Sequence, residues 1–459
     1  MMFKIKTLIV FVLLSAASFA QNTYNLSVQQ AVELAKQKNA NLKNAQLDKA
    51  IARQQIKEIV ATGLPQINGQ LQFLHNPVVA TMALPDFISP AVYGTLVGYG
   101  LVDPTNPSTP PPPARILPAQ FGVKNNLTAS VSASQLVFDG GFLMGVKASK
   151  EYAKLSSLSA QQIEQEVELD VKKAYYGVQL LQTSLTSFTA NINLLQQTAN
   201  EVAQTYKVGF AEKIDADRIK LALSNTTIQR DKLADQLAIS KQYLKLLLGI
   251  EPNDSINLTE DIEKIEIKNN QSTLNETAQR IELKILEQQK KLNLLDKRRW
   301  QYGYVPSLVA FGSYQQNTFG ANVSDLGKQW FEGISVGATL NVPLFDGLRK
   351  DALVQKNKIN DKKIENGKKV LQNTIEIERF TAKSKYSRAL QQYQVQADNA
   401  KLAEDIFKRA SIRYREGLGS SLELTTAQTD LLTAQNNKLQ AIFELLIAEA
   451  ELKKVNGNN

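Results

Sequence analysis

Few residues in this chain are of the types that covalent or metal chemistry needs. There is one histidine, His75, and no cysteine. Disulfides, thiolate metal sites and a lipidated N-terminal cysteine are therefore excluded, and a transition-metal site lacks its usual donors. No nucleophile–base pair and no phosphate-cradling glycine loop stands out, so no catalytic role and no cofactor is assigned. Two carboxylates do occupy matched places: Asp215, six residues after Gly209, and Glu423, six after Gly417. Their chemistry is electrostatic, since a carboxylate in the first turn of a helix is favoured by the helix dipole. What more they can do depends on the elements that hold them.

The first twenty residues stand apart from the rest. Lys4 and Lys6 precede an apolar run from Leu8 to Leu14, and Ser18-Phe19-Ala20 suits signal peptidase. The run is too short to span a bilayer, so residues 1–20 read as a cleaved signal peptide with Gln21 as the mature start. An N-terminal anchor helix is the alternative. Removing Lys4 and Lys6 from 53 basic residues, against 44 acidic ones, leaves a net charge of +7. The charges are spread along helical patterns, as on a solvated surface and unlike a nucleic-acid footprint. No other segment reaches transmembrane-helix length, so a membrane would have to be entered as β-structure.

Ser27-Val28-Gln29-Gln30 has the capping-box pattern and predicts a helix to about Thr62, stopped by Gly63 and Pro65. Gln66, Asn68, Gln70 and Gln72 then alternate with Ile67, Gly69, Leu71 and Phe73, as a strand requires. Residues 76–120 are rich in proline and read as a long loop with local polyproline structure. A second strand sets Leu127, Ala129, Val131 and Ala133 against Thr128, Ser130, Ser132 and Ser134. Past Phe138-Asp139-Gly140 the apolar period lengthens to about 3.5. Ala174, Leu181, Leu185, Phe188, Ile192, Leu195, Ala199, Val202 and Tyr206 trace a coiled-coil seam. Val208-Gly209-Phe210 interrupts it, and a further helix runs from about Lys213 to Leu248.

The second half repeats the first. Shifting by 207 residues lays Phe138-Asp139-Gly140 on Phe345-Asp346-Gly347, and the strand before it on Ile334, Val336, Ala338 and Leu340. Shifting by 208 lays Tyr206 on Tyr414, Gly209 on Gly417, Asp215 on Glu423 and Gly249 on Gly457. The expected organisation is thus a tandem repeat: residues 21–263 and 264–459, each helix, strand, loop, strand, long helix, helix. Val342-Pro343-Leu344-Phe345-Asp346-Gly347 is the joint from strand to long helix. Pro343 suits the end of a ladder, Asp346 can cap, and Gly347 frees the backbone to turn.

Each of the four strands is about ten residues, enough to cross a bilayer when tilted. Their apolar faces suit lipid and their polar faces a wet lumen. Phe73, Tyr302, Tyr304, Tyr314, Trp330 and Phe331 suit interfacial belts. Alone, such alternation favours a soluble sheet. But four strands in lipid leave two open edges, which only further copies of the chain can close, giving eight, twelve or sixteen strands. Helices of about 67 residues extend roughly 100 Å and fit a ring packed through heptad seams. The expected fold class is mainly α with a transmembrane β part, an oligomeric barrel continued by a helical tube.

The Val-Pro-Leu-Phe-Asp-Gly turn into a long helix, followed by Tyr414-Arg415-Glu416-Gly417-Leu418 before a last helix, resembles the TolC-like outer membrane efflux proteins. Arg280-Ile281-Glu282-Leu283 and Leu26-Ser27-Val28-Gln29-Gln30-Ala31-Val32 resemble that family's openings of its two halves. The resemblance covers nearly all of the mature chain. It implies a homotrimer with a twelve-stranded barrel in the outer membrane and a long periplasmic α-helical barrel. It also implies docking to a periplasmic adaptor (membrane fusion) protein and an inner-membrane pump of RND or ABC type. The function implied is the exit channel of a tripartite efflux or type I secretion system. The alternative is a periplasmic coiled-coil scaffold without channel activity.

By position, the resemblance makes Val208-Gly209-Phe210 and Glu416-Gly417-Leu418 the adaptor-docking tips. It makes Asp215, Tyr414 and Glu423 part of a periplasmic gate, where repeated carboxylates around a narrow pore would attract cations and repel one another. Two departures touch the gate: Thr426 stands where the family can have a second acid, and Gly419 where it can have a constriction arginine. Residues 76–120, between the first two strands, belong at the outer mouth, either plugging the barrel or lying as a surface loop. The exported substrate is not written in the sequence.

Overall fold

Residues 22–265 and 280–457 are described by a computed structural model; the expected signal peptide, residues 1–20, lies outside them. The elements in chain order are β1 (Thr23–Leu26), α1 (Val28–Lys38), α2 (Ala40–Ala61), β2 (Gln66–His75), β3 (Thr81–Pro85), α3 (Ile88–Gly98), β4 (Ile116–Gln120), β5 (Asn125–Phe138) and α4 (Gly140–Lys207). There follow α5 (Lys213–Leu248), β6 (Ser255–Leu258), α6 (Ile281–Tyr302), β7 (Ser307–Gly320), β8 (Phe331–Asn341), α7 (Arg349–Arg415) and α8 (Ser421–Val455). They fall into two compact units: Lys57–Lys147 with Asp296–Val354, and the described parts of Met1–Ile56, Ala148–Leu295 and Gln355–Asn459.

The first unit is built on one antiparallel sheet in the order β2-β5-β7-β8. Its register sorts the side chains by face. Ile67, Ala133, Gly312 and Val336 share one row, and Gly69, Val131, Tyr314 and Ile334 the next. On the opposite face Asn68, Ser132, Ser313 and Ser335 align, with the Ser313 and Ser335 hydroxyls 2.7 Å apart. The alternation read from the sequence therefore gives a mainly apolar and a mainly polar face, with exceptions on both: Gln316 and Glu332 share the row of Leu71 and Ala129, and Phe311 shares that of Gln66 and Ser134. Within one chain neither face of β2 is covered, and Val336 on β8 is 84% exposed. β2 and β8 each pair on one side only.

Residues 76–120 differ from the expected loop. They hold a short hairpin, β3 with β4, and the helix α3. The prolines sit where regular structure tolerates them. Pro90 lies in the first turn of α3, whose N–H groups have no helical partner, and Pro118 lies in a two-stranded sheet where both strands are edges. Asp86 starts the helix by accepting the backbone N–H groups of Ile88 and Ser89. Proline content alone is blind to those placements.

The helical unit is anchored by a core the strand pattern did not reveal. β1 and β6 form a parallel pair, and Leu26 and Ile256 pack with Ala31, Val32 and Ala35 of α1, Val171, Tyr175 and Val178 of α4, and Leu244 and Leu248 of α5. The Tyr175 hydroxyl donates to the Leu26 carbonyl at 2.9 Å. Of the expected seam on α4, Leu195 and Val202 are buried, whereas Ala174, Leu181 and Leu185 are partly covered and Tyr206 is exposed. The expected single helix to Thr62 is broken at Asn39. The Asn39 side chain accepts the N–H groups of Asn41 and Leu42 and donates to the Leu247 carbonyl, ending α1 and starting α2.

Gly249 closes α5 with φ +66°, and a Cβ there would lie 2.3 Å from the Lys38 carbonyl oxygen. Gly327 has a similar φ but open space around it. Gly249→Ala should therefore cost about 3 kcal/mol or more, and Gly327→Ala about 1 kcal/mol. Thermal unfolding of the two variants side by side, with a clearly larger drop for Gly249→Ala, is the expected result.

Candidate functional site

The strand-to-helix joints start the two long helices in different ways. Asp139 accepts the Phe142 N–H at 2.6 Å and caps α4 directly. Gly140 packs so closely that a Cβ would meet the Tyr302 carbonyl at 3.0 Å. The second joint is built otherwise. β8 ends at Asn341, so Pro343 lies just beyond the ladder. Asp346 accepts the Lys350 N–H at 3.1 Å and pairs with its ammonium at 3.3 Å. Gly347 takes φ +67° as expected, and Leu348 follows with φ +66°, the one non-glycine with positive φ among the described residues. An αL leucine costs about 1–2 kcal/mol, a strain that no sequence pattern announced. Phe345 is highly exposed and Phe138 less so.

At the far ends of the long helices are two tight reversals. After α4, Gly209 adopts φ +82°, its N–H donates to the Tyr206 carbonyl, and the Phe210 N–H reaches the Thr205 carbonyl. After α7, Gly417 adopts φ +73°, and the Leu418 and Gly419 N–H groups both donate to the Arg413 carbonyl. These are glycine-centred helix caps of the kind their positive φ allows. Both present apolar side chains to solvent: Val208 and Phe210 (86% exposed) on the first, Leu418 (69%) on the second.

Immediately behind the tips lie the three proposed gate residues, and the structure divides them. Asp215, in the first turn of α5, accepts a short hydrogen bond from the Ser421 hydroxyl at the start of α8. Tyr414 packs on the small core of Leu195, Val202 and Ile219. Burial, then the negative charges of Asp215 and Glu201, push its hydroxyl above the ordinary tyrosine range. Glu423 is set apart from this pair. Its backbone N–H is capped by the Ser420 hydroxyl at 3.2 Å, and its carboxylate faces Arg413 Nε at 3.7 Å. Arg413 also donates to the Leu418 carbonyl, tying the second tip to the helix. Ser421 and Arg413 were missed by sequence reasoning because the repeat lays them on Lys213 and Thr205, which share none of their chemistry.

Two further features belong to the helical unit. Arg280 is buried and forks onto Glu282 at 3.0 and 2.8 Å and onto Glu378 at 2.7 Å. The Glu282 hydrogen bonds, against the cost of burial, hold its guanidinium pKa above the usual value. A groove of about 730 Å³ runs between α4, α5 and α8, lined by Asn191, Asn225, Thr226, Thr425, Thr429 and Asn436 among others. Leu195, Leu221 and Leu422 add apolar surface, and Arg218 and Asp430 are its charged members. No group of three histidine, cysteine or acidic residues gathers as a metal cluster among the described residues.

The sequence pattern described as "Outer membrane efflux protein" matches residues 301–458. No curated protein matches the chain by sequence. Among solved structures, the outer membrane protein VceC of Vibrio cholerae aligns with TM-score 0.68 and 14% identity, covering 94% of this chain and 96% of that one. The CmeC outer membrane channel of Campylobacter jejuni aligns with TM-score 0.70 and 15% identity, over 94% and 85% of the two chains. The MtrE outer membrane channel of Neisseria gonorrhoeae, in its open state, gives 0.67 and 14%, over 94% and 89%. At these identities the likeness establishes the fold, which is the mainly helical one with a β part expected from the sequence.

The exposed tips make a simple stability prediction. Phe210→Ser combined with Leu418→Ser should leave the unfolding temperature nearly unchanged, within about 0.5 kcal/mol per site. Ile219→Ala, at a position 0% exposed, should cost about 2–5 kcal/mol. If the tip variants destabilise as much as Ile219→Ala, the tips are structural and not free surfaces.

Proposed function

We infer that this chain is an export duct, supported by the match of residues 301–458 to the outer membrane efflux protein family and by a fold shared with outer membrane channels. It sits in the outer membrane as a homotrimer closing a twelve-stranded barrel, with its helical unit in the periplasm. The observation that supports this reading is the four-stranded sheet with a mainly apolar face, a mainly polar face and two edges unpaired among the described residues. Lipid accounts for the apolar face, a water-filled lumen for the Ser and Asn rows, and neighbouring copies for the edges. The duct does no chemistry of its own. It passes what an inner-membrane pump, of RND or ABC type, delivers through a periplasmic adaptor in efflux or type I secretion.

Within this reading the tips at Gly209 and Gly417 receive the adaptor, supported by their exposed Val208, Phe210 and Leu418. The tie between Asp215 and Ser421, and that between Arg413 and Glu423, hold α5, α7 and α8 together behind the tips as a closed gate. The two halves of the chain act as structural repeats, 21–263 and 264–459, each giving two strands to the barrel. Residues 76–120, between β2 and β5, cover part of the outer mouth.

The decisive experiment is detergent fractionation followed by planar-bilayer conductance of the purified full chain. The expected outcome is a detergent-dependent trimer that forms small channels. Asp215→Ala with Arg413→Ala should raise the conductance severalfold by removing both ties. A monomer soluble without detergent, and silent in bilayers, would support the periplasmic scaffold instead.

A further inference from the structure

The joint between β8 and α7 carries more positive charge than its own structure uses. Trp300, in the last turn of α6, has Arg299 at 5.5 Å and Arg349 at 5.9 Å from its ring centre. Its indole N–H is anchored on Asp296 at 3.3 Å, so the ring is fixed. Close by, Lys350 lies 5.1 Å from the Tyr304 ring, but its ammonium is already paired with Asp346. Arg299 and Arg349 are exposed and enter no ion pair among the described residues. Asp296, on the indole N–H, is one carboxylate beside two guanidinium groups, which leaves room for a further anion to offset their repulsion. Leu344 and Phe345, a few residues before Arg349, are among the most exposed apolar side chains of the chain.

We propose that Arg299 and Arg349, framed by Trp300, Leu344 and Phe345, form a binding site for the phosphate of an anionic glycerophospholipid in the periplasmic leaflet. The proposal rests on the outer-membrane reading above. Guanidinium forks match phosphate oxygens, and their weak hydration suits a half-wet interface. The indole ring belongs at headgroup depth, and exposed Leu344 and Phe345 suit the adjoining acyl chains. The sheet's apolar face, which that reading gives to lipid, ends at this same joint. A soluble anion would satisfy the guanidinium pair but would leave Leu344 and Phe345 against water. A bound lipid covers both, and it fixes the height at which the strand becomes helix.

The test is native mass spectrometry of the purified full chain in detergent, titrated with phosphatidylglycerol, with phosphatidylcholine as the neutral comparison. The wild type should retain phosphatidylglycerol in preference to phosphatidylcholine. Arg299→Gln with Arg349→Gln should weaken retention about 30-fold, near fivefold for each cation removed. Lys362→Gln with Lys363→Gln, exposed on α7, removes the same charge and should change nothing. Equal retention by the arginine variant and the wild type overturns the site. So does an equal loss in the lysine variant, which would mean net charge alone, or full displacement by inorganic phosphate, which would mean a free-anion site. Bilayer conductance reports on the channel reading separately: a chain that retains lipid but never conducts contradicts the duct and leaves the lipid site standing.

Discussion

Two unpaired sheet edges set the terms for the rest of this protein. β2 and β8 each present a row of backbone N–H and C=O groups with no partner among the described residues. In water that row is solvated and cheap. In hydrocarbon each such group costs several kcal/mol, and about half the residues of a ten-residue edge point outward, so an open edge costs on the order of tens of kcal/mol. Side-chain packing within one chain offers nothing of that size, because β2 is exposed on both faces. Pairing β2 of one copy with β8 of the next removes both penalties at once. On the proposed reading, assembly is then a condition of residence in the membrane, and assembly and lipid cover the exposed apolar rows.

The same incompleteness shows in the helices. On α4 the fully buried stripe of Val171, Tyr175 and Val178 serves the chain's own core, while Ala174, Leu181 and Leu185 are only partly covered. A helix that serves both its own chain and neighbouring ones needs two apolar stripes, and the proposed assembly gives the partly covered heptad seam the second task. The joints feed such helices by different means. Asp139 caps α4 directly, whereas the α7 joint uses consecutive left-handed residues, Gly347 and Leu348, and a carboxylate reaching Lys350. The repeat therefore conserves the task of turning strand into helix without conserving the local geometry.

Much of the fold was legible because its signals are periodic or local. The first two strands follow from strict alternation, the first long helix from a sustained 3.5-residue seam, their counterparts in the second half from the repeat, and the reversals from glycines that do take positive φ at 209 and 417. What was hidden depends on contacts distant in sequence or on placements that composition averages away. β1 and β6 are four residues each and pair across more than two hundred positions, leaving no room for a pattern. Asn39 breaks its helix through a side chain whose other end bonds Leu247. The prolines of 76–120 hide a hairpin and a helix. At the proposed gate the repeat marked Asp215 and Glu423. Their actual partners, Ser421 and Arg413, have no counterpart in the other half, so duplication could not point to them.

The central claim, that β2 and β8 pair between copies, can be tested directly because the chain has no cysteine of its own. Gln70→Cys on β2 would be combined in turn with Ser335→Cys, Thr339→Cys or Asn341→Cys on β8, all on the polar face. Directly opposed residues on neighbouring strands come within disulfide reach. After mild oxidation in native membranes, one of these pairings should yield covalent dimers and trimers on a non-reducing gel, and the single variants should not. Absence of cross-links in every register, with a monomeric mass in detergent, would contradict closure of the sheet by neighbouring copies.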